Sequence, residues 1–471
     1  MSGCSSLVEL PSSFGNMIHL LDLFLNGCSS LVKLPFSIGN MIDLRRLSLN
    51  GCSSLVELPS SIGNMIDLRE LSLKGCSSLV DLPSSIGNMI YLKKLYLNDC
   101  SSLLELPSSI GSMTYLEELF LDGCSSLVAL PSSIGNMTNI KRLYLIGCSN
   151  FVEFPDSIGN LQNLQMLFLR SCSKLKTLPI NINMKALDEV DLTDCSSLES
   201  FPEISTNISV LKLNGTAVAE IPHSIRSLSR LDSLRMSYCE NLRKSQHAFD
   251  CITELHFSDT TIQEISPWVK EMSRLHTLVI RGCTKLVSLP ELPESLAILD
   301  AENCESLERL DRSFNKTMFT EINFLNCFKL NQEARDLIIK TSTRAFTAFP
   351  GEKVPTYFTY RAIGRSLIMN SNGFETHFST DSRLKVWVLL VKKVDVEVGD
   401  RNTTSISYHI NDKRDRLWKQ FSLSSKGHLL VFELEKAVSS NELVFDFYLG
   451  NGGWEIKECG VRPLETLAPS C

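Results

Sequence analysis

Apolar and polar residues alternate along this chain in a pattern that repeats every 24 residues through its early part. The stretch LSLNGCSSLVELPSSIGN at 47–64 returns almost unchanged in the two copies that follow. Within it, Leu47 and Leu49 alternate with polar residues, which predicts a short strand whose leucines face a core. The proline and the Ser-Ser-Ile-Gly-Asn segment predict a turn back, with Ile62 and Met65 as further buried residues.

A period in the twenties with the pattern L-x-x-L-x-L-x-x-N/C-x-L is the signature of a leucine-rich repeat. One coil leaves its leucines exposed, so coils must stack to form a core. We expect strands to begin near Leu20, Leu44, Leu68, Leu92, Leu116, Ile140, Leu164, Leu187, Ile208, Leu231, Ile252, Leu275, Leu296 and Phe319. The sequence thus predicts a leucine-rich-repeat α/β solenoid over residues 1–330, a horseshoe of about 14 coils with parallel strands on its concave face.

Sixteen cysteines are present, and many of them follow the repeat. A cysteine recurs after each of the first eight predicted strands, at Cys28, Cys52, Cys76, Cys100, Cys124, Cys148, Cys172 and Cys195. A small thiol at this turn can face backbone groups in the core, so we expect a structural ladder of reduced cysteines. Neighbouring coils are close enough for disulfides, but an intracellular compartment and inward side chains favour thiols. No C-x-x-C pair occurs in the sequence, so we do not expect a zinc site.

The first residues begin inside a repeat, because Cys4 and Leu7 are present without a preceding strand. Solenoids carry a polar cap at each end, and we therefore expect a solenoid without an N-terminal cap. The chain is then a fragment, a truncated product or a partner that docks on another polypeptide.

A different pattern begins near residue 330. The segment 331–344 contains NQEARDLIIK and predicts a helical linker. Beyond it, β-rich runs such as HLLVFELE and ELVFDFYLG are separated by turn residues. This spacing predicts an all-β sandwich domain at 345–465, followed by a tail at 466–471.

Composition narrows the function. The net charge of -7 gives no reason to expect nucleic acid or an anionic membrane as a partner. The N-terminus lacks the features of a signal peptide, and no apolar run is long enough to span a bilayer. We expect a cytoplasmic protein, with the nucleus as a second compartment. The scattered histidines show no metal-ligand spacing, no G-x-S-x-G motif occurs, and nothing points to a cofactor, so we expect no enzyme.

The concave face of the predicted sheet offers a candidate protein-binding surface. The residue between the two strand leucines points there, and in four consecutive coils it is aromatic: Tyr96, Phe120, Tyr144 and Phe168. Charges of alternating sign flank this column, namely Lys94, Glu118 and Arg142. Large aromatic side chains often anchor an interface. The alternative is that aromatics simply favour strands while the charges keep the sheet soluble.

Three segments follow the repeats in a distinctive order: FLNCFKLNQEARD at 324–336, FPGEKVPTYFTYRAIGRSL at 349–367 and IKECGVRPL at 456–464. With the CSSLVELPSSIGN repeats, they resemble the C-terminal part of plant intracellular disease-resistance receptors of the Toll/interleukin-receptor, nucleotide-binding, leucine-rich-repeat class. The later segments resemble the jelly-roll or Ig-like domain that follows the repeats in that family.

The resemblance implies a non-catalytic recognition module of an immune receptor that senses a pathogen effector protein. A nucleotide-binding receptor chain, in cis or in trans, is a further implied partner. The Toll-type NADase and the nucleotide-binding switch of that family do not carry over, because no G-x-x-x-x-G-K-[ST] motif or Toll-type domain is found in these residues. The alternative function is a leucine-rich-repeat scaffold or adaptor that binds host proteins without sensing an effector.

Overall fold

The computed structural model describes residues 2–179, 184–203, 205–239, 241, 244–245, 252–265, 267–317, 319–341, 343–353, 358, 360–370, 383–393, 403–411, 413–415, 420–423, 427–435, 442–450 and 453–464. The chain forms two compact units, Met1–Thr253 and Glu254–Cys471. The predicted tail at 466–471 lies outside the described residues. The domain boundaries predicted near residues 330 and 345 remain a prediction, since the division into units falls between Thr253 and Glu254.

The first unit is a stack of short parallel strands. They are β1 Asp22–Phe24, β2 Arg46–Ser48, β3 Glu70–Ser72, β4 Lys94–Tyr96, β5 Glu118–Phe120, β6 Arg142–Tyr144, β7 Met166–Phe168, β8 Glu189–Asp191, β9 Val210–Lys212, β10 Glu220–Ile221, β11 Ser233–Arg235 and β12 Lys244–Ser245. From β1 to β9 each strand pairs in parallel with the next, and β9 pairs with β11. A separate short pair joins β10 to β12.

Short 3-10 helices occupy the opposite side of most coils in this unit. They span Ser12–Asn16, Phe36–Asn40, Ser60–Asn64, Ser84–Asn88, Ser108–Ser112, Ser132–Asn136, Asp156–Asn160 and His223–Ser227. A proline precedes each of them in an extended conformation, for example Pro59 with a φ of -67°. Proline sets that φ and lacks the amide hydrogen that the first helical turn would leave unused.

The core of one coil is built from the predicted positions. Leu47 in strand β2 and Leu49 and Cys52 after it are fully or almost fully buried. Ile62 and Met65 reach the same core from the 3-10 helix and are also fully buried. Backbone amides of one coil donate to carbonyl oxygens of a neighbouring coil, so within the described residues the apolar cores of adjacent coils stack on one another. The predicted leucine-rich-repeat solenoid is confirmed.

The second unit begins with more strands of the same kind. They are β13 Glu254–His256, β14 Thr277–Val279, β15 Ser288–Leu289, β16 Ile298–Asp300, β17 Arg309–Leu310 and β18 Phe319–Asn323. The 3-10 helices Pro267–Glu271 and Arg312–Lys316 and the helix α1, Gln332–Lys340, accompany them. The side chain of Asn331 caps α1 by accepting a hydrogen bond from the amide of Ala334 at 2.8 Å.

The remaining strands of this unit form the expected β domain. They are β19 Thr343–Pro350, β20 Tyr360–Ile363, β21 Ser366–Asn370, β22 Arg383–Lys392, β23 Thr403–Ile410, β24 Lys413–Asp415, β25 Gln420–Ser422, β26 His428–Glu435, β27 Glu442–Leu449 and β28 Trp454–Leu464. One antiparallel sheet runs β19–β26–β22–β28–β20, and another contains β21, β27, β23 and β24, with β25 on β23. A shared apolar core, including Val386, Phe432, Phe445 and Phe447, lies between them.

The β domain continues directly from the repeats within the second unit. Strand β18 pairs in parallel with β19, and the amide of Phe324 donates to the carbonyl oxygen of Ala348 at 2.7 Å. The amide of Asn326 in the last coil also donates to Nε2 of the fully buried His428, at 3.3 Å. Backbone and side-chain hydrogen bonds therefore join the last coil to the first sheet of the β domain.

Candidate protein-binding surface

The strands of the first unit present one face to the core and the other to solvent. In β4, Leu95 is fully buried, whereas Lys94 and Tyr96 on either side of it are half-buried on the outer face. This alternation is the two-residue period of a strand. We call the outer face of β1 to β8 the sheet face, and it carries the residues predicted to bind protein.

Four aromatic rings form a continuous stack along the sheet face, which we call the aromatic column. The ring centroids of Tyr96 and Phe120 are 4.5 Å apart, and the two rings are 11° from parallel. Phe120 and Tyr144 are also 4.5 Å apart, and Tyr144 and Phe168 are 5.1 Å apart. The column exists because the parallel register places these residues directly opposite one another. All four rings are half-buried, since each covers the faces of its neighbours.

Polar residues bound the aromatic column at both ends. The hydroxyl groups of Ser48 and Ser72 donate to the side-chain oxygens of Asn26 and Asn50, each at 2.5 Å. At the other end, strand β8 places Asp191 opposite Phe168. Next to the column, the Lys74 ammonium lies 4.5 Å from the centroid of the Tyr96 ring, a cation–π contact.

The charged residues predicted to bind protein are paired with one another across strands. The Glu118 carboxylate is only 6% exposed, and Nζ of Lys94 lies 3.3 Å from it. The guanidinium of Arg142 also donates to Glu118. Two cations therefore neutralise a buried carboxylate, which is the arrangement that makes burial of a charge tolerable.

A second row of charges lies directly before the same strands. Nζ of Lys141 donates to the Glu117 carboxylate at 2.8 Å, and Nζ of Lys93 lies 3.8 Å from it. The hydrogen bond from Lys141 holds the pKa of Glu117 below its usual range. The charges of alternating sign thus form ion pairs between neighbouring coils.

The repeat cysteines form a column inside the core. All eight predicted ladder residues are fully buried free thiols: Cys28, Cys52, Cys76, Cys100, Cys124, Cys148, Cys172 and Cys195. From Cys52 onward, each thiol donates to the carbonyl oxygen of the last strand leucine in the preceding coil, at 3.1–3.3 Å. Burial raises the pKa of Cys52 to about 11 and that of Cys100 to about 12.

Sequence analysis missed a row of Asn and Asp side chains at the carboxyl ends of the strands. The side-chain oxygen of Asn50 accepts from the backbone amide of Lys74 at 3.1 Å in addition to Ser72. Asp122 accepts from the amide of Ile146 at 2.9 Å and from Nδ2 of Asn98 at 2.7 Å. Burial raises the pKa of Asp122 despite these hydrogen bonds. The available signal was the polar residue that follows the second leucine of most repeats.

The described residues were also compared with what a metal site and a membrane-spanning helix require. Among the described residues, no group of three or more His, Cys, Asp or Glu side chains is placed to hold a metal ion. A search of the same residues for a helix of sufficient length and apolarity to cross a bilayer found none.

Comparison with known proteins places the repeats in context. Residues 44–153 match a family model described as a leucine-rich repeat region. Residues 113–333 match a model described as the leucine-rich repeats of disease resistance protein RPS4B-like proteins. A structure of a leucine-rich-repeat protein from Leptospira interrogans is 23% identical and covers 72% of this chain and 93% of its own, with a TM-score of 0.43.

Two curated relatives come from Arabidopsis thaliana. The probable disease resistance protein RPP1 is 48% identical over 300 residues, which are 61% of this chain and 24% of the relative. Disease resistance protein TAO1 is 43% identical over 206 residues, which are 40% of this chain and 16% of the relative. The chain therefore spans a quarter or less of the length of these relatives. Its repeats are similar to the leucine-rich repeats of plant disease-resistance proteins of the Toll/interleukin-receptor, nucleotide-binding class.

Proposed function

We propose that this chain is the recognition part of a plant intracellular immune receptor and that the aromatic column contacts a pathogen effector protein. The observation that carries the proposal is the stack of four half-exposed rings, Tyr96, Phe120, Tyr144 and Phe168. Such a stack is already ordered before a ligand arrives. A ligand that covers it therefore gains apolar contact at a small cost in side-chain entropy.

The charges around the column support this role. Lys94 and Arg142 both pair with Glu118, so this buried carboxylate does not require an external partner. A ligand can then bury the rings without desolvating an unpaired charge beneath them. The similarity to disease-resistance proteins supports a role in defence. That role fits a non-catalytic protein that acts in the cytoplasm or the nucleus. Its further partner would be a nucleotide-binding receptor chain, in cis or in trans.

Binding to a panel of purified pathogen effector proteins tests the proposal. Each effector is titrated against the chain and against a variant in which the four column residues are replaced by Ser. We expect at least one effector to bind, with affinity falling at least tenfold in the variant. A matched control replaces the exposed Tyr115, which lies off the column, by Ser. Effectors that bind both variants and the parent equally contradict the aromatic column as the site.

The alternative scaffold function gives a different result in the same design. A host protein would then bind the column in uninfected tissue, and no effector would compete with it. The four-Ser variant would still lose the host protein, because the surface would be the same. The protein whose binding requires the aromatic column therefore distinguishes the two functions: a pathogen effector indicates recognition, and a host protein indicates a scaffold.

A further inference from the structure

Outside the sheet face, six consecutive coils of the first unit expose an aliphatic side chain. These residues are between 38% and 55% exposed and occupy the same position of each repeat: Val8, Val32, Val56, Val80, Leu104 and Val128. The leucine before each of the middle ones, such as Leu55 and Leu79, is fully buried. The buried leucine already fills the core, so packing in the core does not explain why the exposed residue after it is apolar. We call these six residues the aliphatic row.

A ladder of backbone hydrogen bonds links the first five members of the aliphatic row. The amide of Val32 donates to the carbonyl oxygen of Val8 at 3.0 Å, and that of Val56 donates to Val32 at 3.2 Å. The same bond joins Val80 to Val56 and Leu104 to Val80, at 3.3 and 3.1 Å. Neighbours joined in this way repeat every ~4.8 Å, so the row is about 24 Å long. A contiguous exposed apolar surface on this scale is typical of an interaction site.

Acidic residues flank the aliphatic row. Glu57, Asp81 and Glu105 directly follow its three middle members and are exposed. The segments 52–64, 76–88 and 100–112 contain no Lys or Arg. Within the described part of the chain, none of the three carboxylates forms an ion pair. Carboxylates on adjacent coils repel one another, and a cation supplied by a partner relieves that repulsion.

Charge also argues against a second copy of this chain as the occupant. A two-fold pair would set the same surface against itself. Glu57, Asp81 and Glu105 would then face carboxylates of the other copy, which is unfavourable. Lys33 adds little positive charge, since its ammonium lies 3.1 Å from the Glu9 carboxylate. The row requires an apolar partner that carries basic groups.

We propose that the aliphatic row binds an amphipathic helix of a partner protein, with one aliphatic and one basic residue on each turn. One turn of an α-helix rises 5.4 Å, close to the ~4.8 Å between coils, so a helix lying along the row keeps step with it for several turns. Aliphatic side chains would meet Val56, Val80 and Leu104, and Lys or Arg would meet the acidic residues beside them. Helices often bind protein grooves through such repeated anchors. The site is separate from the aromatic column and does not depend on its function.

A synthetic peptide serves as the probe. It is an 18-residue helix with Leu along one face and Lys beside it, and its binding to the chain is followed by fluorescence anisotropy. Two comparison peptides have the same length: a scrambled sequence of the same composition and a helix with Glu in place of Lys. The scrambled peptide measures attraction to the net negative charge alone.

Paired variants locate the binding surface. Val80→Ser with Leu104→Ser removes the centre of the aliphatic row, and Ile66→Ser with Ile90→Ser is the matched control. The two control residues are 51% and 40% exposed and lie at another position of adjacent coils. All four side chains are exposed, so we expect folding to be retained, which circular dichroism checks. We expect the Leu/Lys helix to bind at least tenfold more weakly to the row variant and within twofold to the control.

A charge variant completes the design. Glu57→Gln, Asp81→Asn and Glu105→Gln together should weaken binding and flatten its dependence on salt. The proposal is overturned if both Ser variants bind the peptide equally or if the scrambled or acidic peptide binds as well as the Leu/Lys helix. It is also overturned if the parent chain forms a dimer in sedimentation that the row variant abolishes, because a second copy then occupies the row.

Discussion

The thiol of Cys124 donates a hydrogen bond to the carbonyl oxygen of Leu97 in the preceding coil, at 3.1 Å. The same bond recurs from Cys52 to Cys195 and links successive coils through the core. A thiol is small enough to fit between stacked leucines and still satisfies a buried acceptor. In the coil of Thr216, a hydroxyl takes this position but donates within its own coil, to the carbonyl oxygen of Leu213 at 2.8 Å. The position keeps a small buried donor there, but the bond to the preceding coil is made by the thiols.

Alkaline pH should destabilise the folded chain through these thiols. Burial raises the pKa of Cys52 to about 11 and that of Cys100 to about 12, whereas an unfolded thiol ionises near 9. The unfolded state loses its protons first, so stability is fully present below pH 9 and falls as pH rises toward 11. The expected loss is about 1.4 kcal/mol per such thiol at pH 10.

Urea unfolding at pH 8 and pH 10 measures this effect. The variant Cys100→Ala with Cys124→Ala removes two thiols and should show a smaller loss of unfolding free energy between the two pH values. An equal loss in the parent and the variant would assign the alkaline sensitivity to other groups.

Glycine in the Ser-Ser-Ile-Gly-Asn segment is required by the stacking of coils. A Cβ at Gly87 would lie 2.3 Å from the backbone oxygen of Ser109 in the next coil. We expect Gly87→Ala to destabilise the chain by about 1–3 kcal/mol, because the coils must move apart. Chemical denaturation measures the change. Ser84→Ala, at an exposed position of the same 3-10 helix, should change stability little; similar losses in both variants would contradict the steric account.

Asp99 stands where neighbouring coils have glycine. Its φ is 59°, close to the 71° of Gly75 at the equivalent position. A residue with a Cβ is strained in this left-handed region, although Asp tolerates it better than most. We expect Asp99→Gly to increase the free energy of unfolding by about 0.5–1 kcal/mol and therefore to raise the melting temperature. The reverse change, Gly75→Asp, should lower it, and an unchanged melting temperature for both would show that the turn is not strained.

His428 should contribute to the join between the last coil and the β domain. Its Nε2 accepts from the amide of Asn326, and its ring lies 5.4 Å from that of Phe328. We expect His428→Leu to cost about 1–3 kcal/mol, because the buried amide of Asn326 loses its acceptor. Hydrogen exchange at the Asn326 amide should accelerate in this variant more than exchange in strand β4 of the first unit. Unchanged exchange at Asn326 would rule out the bond.

The regular part of the fold could be predicted because one coil determines its neighbours. Leu44 was expected near the start of a strand, and strand β2 begins two residues later, at Arg46. The rings of Tyr96 and Phe120 could be assigned to one face from their spacing, but not their 4.5 Å stacking, which depends on side-chain rotamers. Nor could spacing show that Glu118 is buried under two cations. The contact of His428 with Asn326 joins residues far apart in sequence, and no local pattern signals it.

The central claim is that the aromatic column binds protein. The most direct test is the affinity of the four-Ser variant for a pathogen effector protein that the parent chain binds. The affinity is compared by titration, with folding checked beforehand by circular dichroism. The variant also loses three ring–ring contacts, so its stability is expected to fall by about 1–4 kcal/mol and measurement at low temperature keeps it folded. The account predicts that affinity falls at least tenfold, a loss of at least about 1.4 kcal/mol of binding free energy. An unchanged affinity in the folded variant would contradict it.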